Sequence, residues 1–299
     1  MKKIITFWPK PSFKNCLTSL NLLCSESKIE KLLFNMFPSG HPVLVSSGRS
    51  AIYLALLATG ANRSKKVETF EYASHCVLDA ITRIATPFGF SEKNAEYKIH
   101  YHQWGHESKI DTNSILIEDS VDSLYVPGSP LFNSDGDFEV WSLTKSVGTF
   151  TGGVLWCKSK KNAIKCRKIR DSQNRSNFQL FLKFISNNFN FGTNFWLSNE
   201  ATSIKLSLLS LGEIKSKVKK WSEEVECRVN ALKILNLYPK SKLNRLPAAI
   251  PLDYNKIPEI IKNNFEFKSR HFKRKIVFPL PIHNQVPRKL LLDIKAILN

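Results

Sequence analysis

The stretch DGDFEVWSLTKSVGTFTGGVLWC, residues 135–157, decides how the rest of the chain is interpreted. Residues 138–141 are apolar and β-prone, and residues 154–156 begin a second apolar run, so both are predicted to be buried strands. Between them, Gly148, Gly152 and Gly153 predict a break in regular structure. Lys145 is therefore predicted to lie on a tight loop between two core strands.

A lysine in that position has two interpretations. If the loop is buried, desolvation favours the neutral amine, which is a nucleophile toward aldehydes. The local sequence supports this interpretation, because Lys145 is surrounded by hydroxyl side chains and the nearest carboxylate along the chain belongs to Glu139. In the other interpretation, Lys145 simply points from the loop into water and has no chemical role.

The chain is strongly basic, with 44 Lys and Arg against 25 Asp and Glu and a net charge of +19 over 299 residues. Such a charge favours an anionic partner: a phosphorylated metabolite, a nucleotide, nucleic acid or an acidic membrane surface. The basic residues are scattered, and they lack the interleaved aromatic residues of a surface that binds single strands. We therefore expect no nucleic-acid partner, an expectation that steeply salt-dependent nucleic-acid binding would contradict.

The cysteines and the hydropathy of the chain indicate whether the protein binds a metal, where it is located and whether it spans a membrane. The six cysteines form no CxxC pair and no Cys/His cluster with metal-ligand spacing, so we expect no metal site. Reduced cysteines in apolar contexts suit a cytoplasmic protein. No apolar run approaches the ~20 residues that a transmembrane helix needs. Lys10 and Lys14 interrupt any apolar region that a signal peptide would require.

Strand and helix patterns alternate over residues 41–119, which predicts an open α/β sheet that is mostly parallel. A strand over residues 41–45, a turn over 46–50 and a helix over 51–59 form its first unit. The helix start, with its unpaired N–H groups and the hydroxyls of Ser47 and Ser50, predicts an anion site. The alternative is an ordinary serine-capped helix. A later strand over residues 114–117 runs into Glu118 and Asp119, at the edge where such sheets bind ligands.

The second half of the chain is predicted to be mainly helical, in contrast to the alternating strands and helices of the first half. We predict helices over residues 158–175, 201–211 and 222–237, a Phe- and Asn-rich segment over 178–195, and a linker over 239–251. Two short helices flanking a strand over 277–282 then predict a small α/β unit. We divide the chain into a large domain, residues 1–215, which includes an irregular N-terminal segment, and a small C-terminal domain, residues 216–299.

Three features along the chain are groups that pyridoxal phosphate (PLP) chemistry calls for: a helix start for the phosphate, an acid at a strand end for the pyridine nitrogen, and a lysine for the Schiff base. Their sequences are VLVSSGRSAIYLALLATG (43–60), ILIEDSVDSL (115–124) and WSLTKSVGTFTGGVL (141–155). These segments resemble motifs of the DegT/StrS-type PLP-dependent sugar aminotransferases. The resemblance implies the aspartate-aminotransferase fold, in which helices sandwich a mostly parallel α/β sheet and a small C-terminal α/β domain follows.

The resemblance also implies roles for individual residues. Lys145 would be the Schiff-base lysine and proton shuttle, and Asp119 would pair with the pyridine nitrogen. The ring-stacking residue would be Tyr72 or His75, and the sequence does not choose between them. The residues implied to hold the cofactor phosphate are Gly48, Arg49, Ser50 and Ser142. Arg49 stands where the family has a small residue, so it either clamps the phosphate in a bidentate manner or lies outside the site.

The implied activity is transfer of an amino group, from glutamate by family resemblance, to a keto group on a sugar nucleotide. The implied setting is bacterial surface polysaccharide biosynthesis, such as lipopolysaccharide O-antigen or capsule, and the implied assembly is a homodimer. The alternative is a relative that no longer transaminates and serves as a PLP- or sugar-nucleotide-binding partner or scaffold. Asp122, in place of Gln or His, and Thr151, in place of an acidic residue, motivate that alternative. Retention of both Lys145 and Asp119 argues against it.

Overall fold

The computed structural model describes residues 4–11, 24–89, 95–175, 200–239 and 243–298. Its strands are β1 (His41–Val45), β2 (Lys66–Glu68), β3 (Thr86–Phe88), β4 (Tyr97–Tyr101), β5 (Ile115–Asp119), β6 (Leu124–Tyr125), β7 (Phe138–Ser142), β8 (Gly153–Cys157), β9 (Arg245–Leu246), β10 (Ala249–Asp253), β11 (Arg270–Phe272) and β12 (Lys275–Pro281). Its α-helices are α1 (Glu26–Met36), α2 (Gly48–Thr59), α3 (His75–Thr82), α4 (Leu143–Ser146), α5 (Lys160–Asp171), α6 (Leu208–Lys219), α7 (Trp221–Ile234), α8 (Glu259–Lys262) and α9 (Arg288–Leu298).

The central sheet has seven strands in the order β1-β8-β7-β5-β4-β2-β3. The pairs from β7 through β5, β4 and β2 to β3 are parallel, whereas β8 is antiparallel to both of its neighbours, β7 and β1. Strand β1 therefore runs in the same direction as β5 and β7. As a consequence, the carboxyl ends of β1, β5 and β7 lie at one edge of the sheet, which is where open α/β sheets bind ligands.

Helices cover both faces of this sheet. Along β8, Leu155 and Cys157 pack with α2, α3 and α5, while Val154 and Trp156 point to the opposite face and pack with α1, α6 and α7. This alternation is what the two-residue period of a strand requires when both faces are buried. The expected fold class, an α/β sheet that is mostly parallel and sandwiched by helices, is therefore confirmed.

The C-terminal part of the chain adds a smaller antiparallel sheet in the order β10-β12-β11, and β6 pairs with β9. The N-terminal segment reaches this part of the fold. The N–H of Ile5 donates to the carbonyl oxygen of Asn264 at 2.8 Å, and the N–H of Glu266 donates to the carbonyl oxygen of Ile5 at 2.8 Å. The boundary expected at residues 215/216 falls inside α6, and the division into two domains stays a prediction.

Three expectations for individual elements were wrong. The helix expected over residues 201–211 starts at Leu208 instead, after turns at residues 200–202. The segment expected to be a linker, 239–251, contains β9 and the start of β10. Lys145 lies in the one-turn helix α4 and not on a loop. The Phe- and Asn-rich segment over residues 178–195 lies outside the described residues. Among the described helices, none is long and apolar enough to cross a membrane.

Candidate active site

Lys145 projects from the short helix that follows β7. Ser142 precedes this helix as its N-cap residue, and the N–H of Leu143 donates to the carbonyl oxygen of Gly152 at 3.0 Å, which closes the connection to β8. The Lys145 side chain is 31% exposed, and its Nζ lies 3.3 Å from Oδ1 of Asp122. The lysine is thus half-buried at the carboxyl ends of the parallel strands, and it is paired with a carboxylate that is distant in sequence.

Asp122 is the centre of a hydrogen-bond network around the lysine. It is 2% exposed. Its Oδ1 accepts a 2.8 Å hydrogen bond from the indole N–H of Trp8, and its Oδ2 accepts a short hydrogen bond from the Tyr101 hydroxyl. The Trp8 ring also lies against the lysine, with Nζ of Lys145 4.6 Å from the ring centroid. Three donors therefore hold one buried carboxylate in place.

Sequence reasoning noted Asp122 as a departure from a family pattern but did not pair it with Lys145, and it missed Trp8 and Tyr101. One feature of the sequence could have indicated the pairing with Lys145: Asp122 lies three residues after Asp119, on the loop that follows β5. Trp8 gave no signal, because segment 4–11 has no periodic pattern and reaches the site only through long-range contacts.

Asp119 ends β5 at the same edge and is 2% exposed. Among the described residues, its carboxylate accepts one hydrogen bond, from the N–H of Val121 at 3.2 Å. Burial raises the pKa of Asp119 to about 7, although the positive charge of Lys145 acts in the opposite direction, and the charge of Asp122 adds to the increase. A buried carboxylate with so few donors is suited to a cationic or hydrogen-bonding partner that is not part of the protein.

The turn at residues 46–50 follows β1 at this edge and begins α2. Ser47 and Ser50 form a capping box, in which the N–H of Ser50 donates to Oγ of Ser47 at 3.1 Å and the N–H of Ser47 donates to Oγ of Ser50 at 2.9 Å. A Cβ on Gly48 would lie 3.6 Å from Cβ of Ser142, so the turn and the start of α4 are adjacent. The structure therefore brings Gly48 and Ser142 together at the start of two helices, and the Ser50 hydroxyl is engaged within the capping box of the turn.

Arg49 faces a different group of side chains. Its guanidinium donates to Sγ of Cys76 at 2.7 Å and lies 3.7 Å from Oδ2 of Asp79 and 3.6 Å from Oε2 of Glu200. The contacts with Cys76 and Asp79 tie α2 to α3. Both carboxylates therefore contact the guanidinium, and whether Arg49 clamps the phosphate or lies outside the site stays a prediction.

Tyr72 and His75 lie at the start of α3. The Tyr72 ring is 47% exposed and stacks on the His271 ring with a centroid separation of 6.5 Å. His75 is the exposed first residue of α3, and its Nε2 lies 3.4 Å from Sγ of Cys76. These contacts leave both residues as candidates for a stacking role.

Glu118, the neighbour of Asp119, belongs to the protein interior. Its Oε2 lies 2.9 Å from Nε2 of His102, and its Oε1 accepts the N–H groups of Ser134 and Gly136 at 3.0 Å. Successive residues of a strand point to opposite faces, which separates the two carboxylates. Within the described ranges, no group of three or more His, Cys, Asp or Glu side chains is arranged to hold a metal ion.

Comparison with known proteins identifies the family. The sequence model of a family described as a PLP-dependent aminotransferase matches residues 29–296. A search of the curated proteins found no significant match.

Three solved structures illustrate the fold similarity. A DegT/DnrJ/EryC1/StrS aminotransferase from Brucella abortus is 11% identical, with 91% of this chain and 88% of that chain covered and a TM-score of 0.61. NtdA from Bacillus subtilis, solved with bound PMP, is 15% identical, with 100% and 85% covered and a TM-score of 0.67. DesI, solved in the presence of its TDP-sugar product, is 13% identical, with 100% and 92% covered and a TM-score of 0.63. With the family match extending over most of its length, the chain belongs to the PLP-dependent aminotransferases.

Proposed function

We propose that the protein transfers an amino group from glutamate to a keto group on a sugar nucleotide, with Lys145 as the residue that binds the cofactor covalently. One observation carries this proposal: Lys145 and the buried Asp119 both lie at the carboxyl ends of the parallel strands, where the helix start at residues 46–50 also lies. The positive charge of Lys145 acts on the pKa of Asp119, so the two groups are close enough to interact electrostatically.

The residues at this edge fit pyridoxal phosphate. When bound, PLP supplies an aldehyde that takes up amines and a protonated ring that withdraws electrons from the reacting carbon. Asp119, which is short of hydrogen-bond donors, would hold the proton on the pyridine nitrogen. Tyr72 or His75 would cover the ring face. The phosphate would be held by Gly48, Ser50 and Ser142, with Arg49 as the fourth proposed residue.

Lys145 has a second proposed task, which is to carry a proton. As a free amine, Lys145 would remove the proton from the substrate carbon that bears nitrogen, and the ammonium so formed would deliver that proton to C4′ of the cofactor. Asp122 would orient Lys145 for this task, because Trp8 and Tyr101 fix the carboxylate 3.3 Å from Nζ. The indole ring of Trp8 would also exclude water from one side of the amine.

The substrate proposal draws on similarity. DesI was solved with a TDP-sugar product, and the net charge of +19 suits a diphosphate ligand. Glutamate as the donor, a homodimeric assembly and a place in bacterial lipopolysaccharide or capsule biosynthesis follow only from the resemblance to DegT-type enzymes. Light scattering on the purified protein tests the homodimer, since a molar mass equal to one chain would contradict it.

An absorbance spectrum tests the role of Lys145. We expect added PLP to produce a visible band in the wild type that borohydride bleaches, and we expect glutamate to remove the band and a keto-sugar nucleotide to restore it. Lys145→Ala should show no such band. Lys158→Ala is the control: it removes a surface lysine whose side chain is 45% exposed, and it should behave as the wild type. A wild type without the band, or a Lys145→Ala variant that retains it, would contradict the proposal.

A further inference from the structure

Arg270 is a cation held by aromatic rings close to the candidate active site. It lies on β11, opposite Val277 of β12. Its guanidinium carbon lies 3.7 Å from the ring centroid of Phe267, 4.8 Å from that of Phe7 and 5.6 Å from that of Trp8. Such rings attract a cation and fix its position without neutralising its charge.

No carboxylate among the described residues forms an ion pair with Arg270. The guanidinium makes no hydrogen bond or ion pair with the parts of the chain that the structure describes, and its contacts are the three rings. Burial lowers the pKa of Arg270, and Asp122, Tyr101 and Glu266 are near enough to act electrostatically in the opposite direction. Asp122 already accepts from Trp8 and Tyr101 and pairs with Lys145, so its oxygens are committed elsewhere.

Trp8 links Arg270 to the reactive lysine. Both cations lie over the same indole, with Nζ of Lys145 4.6 Å and the guanidinium carbon of Arg270 5.6 Å from its centroid. The N-terminal segment is held in this place by backbone hydrogen bonds. In addition to the two bonds of Ile5, Nε2 of the buried His283 donates to the carbonyl oxygen of Thr6 at 2.9 Å. The rings that surround Arg270 are therefore positioned before any ligand arrives.

We propose that Arg270 binds an anionic oxygen group of a substrate of the Lys145 site, either a carboxylate of the amino donor or a phosphate of the nucleotide. This inference rests on the function proposed above. A guanidinium offers paired N–H donors that match the geometry of both groups, and its partial burial strengthens such a contact. Because Phe7, Trp8 and Phe267 hold the side chain in advance, less conformational entropy is lost when the anion binds.

The test measures binding of two unreactive probes to the PLP-loaded protein by calorimetry. Glutarate carries the carboxylates of the donor without its amine, and thymidine diphosphate carries the phosphates without the sugar. Arg270→Gln should weaken binding of at least one probe by about 10- to 100-fold, the range for loss of a hydrogen-bonded charge pair. A loss for glutarate alone assigns Arg270 to the donor, and a loss for thymidine diphosphate alone assigns it to the nucleotide.

Two further variants keep the result interpretable. Arg270→Lys retains the charge among the rings but not the planar paired donors, so it should show a smaller loss than Arg270→Gln. Arg274→Gln removes the same charge from the same hairpin, where the arginine is 70% exposed and pairs with Glu71 at 2.9 Å, and it should leave both affinities unchanged.

The proposal is wrong if the wild type binds neither probe, or if Arg270→Gln binds both probes as tightly as the wild type. The borohydride-sensitive band is recorded on the same samples, because it reports on Lys145 independently of Arg270. A normal band with unchanged probe affinities would overturn the role of Arg270 alone. A missing band in the wild type would instead overturn the proposed function.

Discussion

Replacing Gly153 with alanine would show whether the turn at residues 46–50 must lie directly against β8. Gly153 is the first residue of β8 and pairs with Val45 in β1 and Ser142 in β7. A Cβ built on Gly153 would lie 2.4 Å from the carbonyl carbon of Ser47 and 2.7 Å from the amide nitrogen of Gly48. Both atoms belong to the backbone, so no side chain can move aside and the turn itself must shift.

The structure sets the size of the expected effect. Forcing an extra carbon into a packed site costs about 1–3 kcal/mol of unfolding free energy. An unfolding entropy of about 2 cal/mol/K per residue gives ~0.6 kcal/mol/K for 299 residues, so the melting temperature should fall by about 2–5 °C. Because the shifted backbone carries Gly48 and the first N–H groups of α2, we also expect PLP to bind at least ~10-fold more weakly.

Thermal unfolding without cofactor and a PLP titration measure the two effects separately. Gly89→Ala is the matched control, since a Cβ at Gly89 would meet nothing within 4 Å. That variant should be as stable as the wild type, or slightly more stable because alanine restricts the unfolded chain. If Gly153→Ala kept both the melting temperature and the PLP affinity of the wild type, the packing argument for the phosphate turn would be refuted.

Three other substitutions probe charges around the site. Asp119→Asn should raise the melting temperature of the cofactor-free protein above pH 7 but not below pH 4, because a folded-state pKa raised from 3.8 to about 7 costs stability only as pH rises through that window. Asp122→Asn should slow the bleaching of the visible band by glutamate by about 10- to 100-fold, since it removes the carboxylate that holds Lys145 Nζ at 3.3 Å. Arg49→Met should reduce the unfolding free energy by about 1–3 kcal/mol by removing the guanidinium that contacts Asp79, Glu200 and Cys76, although Asp79 keeps its pair with Arg83 at 3.1 Å. An unchanged PLP affinity in this variant would remove Arg49 from the phosphate site.

Local patterns were sufficient to predict the elements that form the ligand-binding edge. The strand expected over residues 41–45 is β1, and the apolar runs flanking Lys145 are β7 and β8. These segments are buried on both faces, so they carry continuous apolar sequences that turns and glycines delimit. The same reasoning failed at residues 239–251, where Pro251 suggested a linker. Strand β10 lies at the edge of its sheet, where proline is tolerated.

The side-chain partners could not be predicted, because they depend on tertiary contacts between distant parts of the chain. Trp8 and Asp122 are 114 residues apart in sequence and share a hydrogen bond. Along the chain the carboxylate nearest to Lys145 belongs to Glu139, but in the fold the loop after β5 places Asp122 beside it. Such pairs follow from the order of strands in the sheet, and a single sequence does not fix that order.

The buried carboxylate of Asp119 lowers the stability of the cofactor-free fold, and this cost bears on whether the protein is an enzyme or a non-transaminating scaffold. Burial of this carboxylate raises its pKa to about 7, which means that at neutral pH the cofactor-free fold gives up stability by keeping an acid there. Asparagine has nearly the same shape and would remove the cost, so nothing in packing requires the acid. A binding partner that needed only the fold would gain from that exchange. An enzyme would not, because only a carboxylate can keep a pyridine nitrogen protonated, and the cation it holds would lower the raised pKa again. The unrelieved cost of Asp119 therefore favours a protein that binds PLP with a protonated ring over a scaffold that needs only the fold.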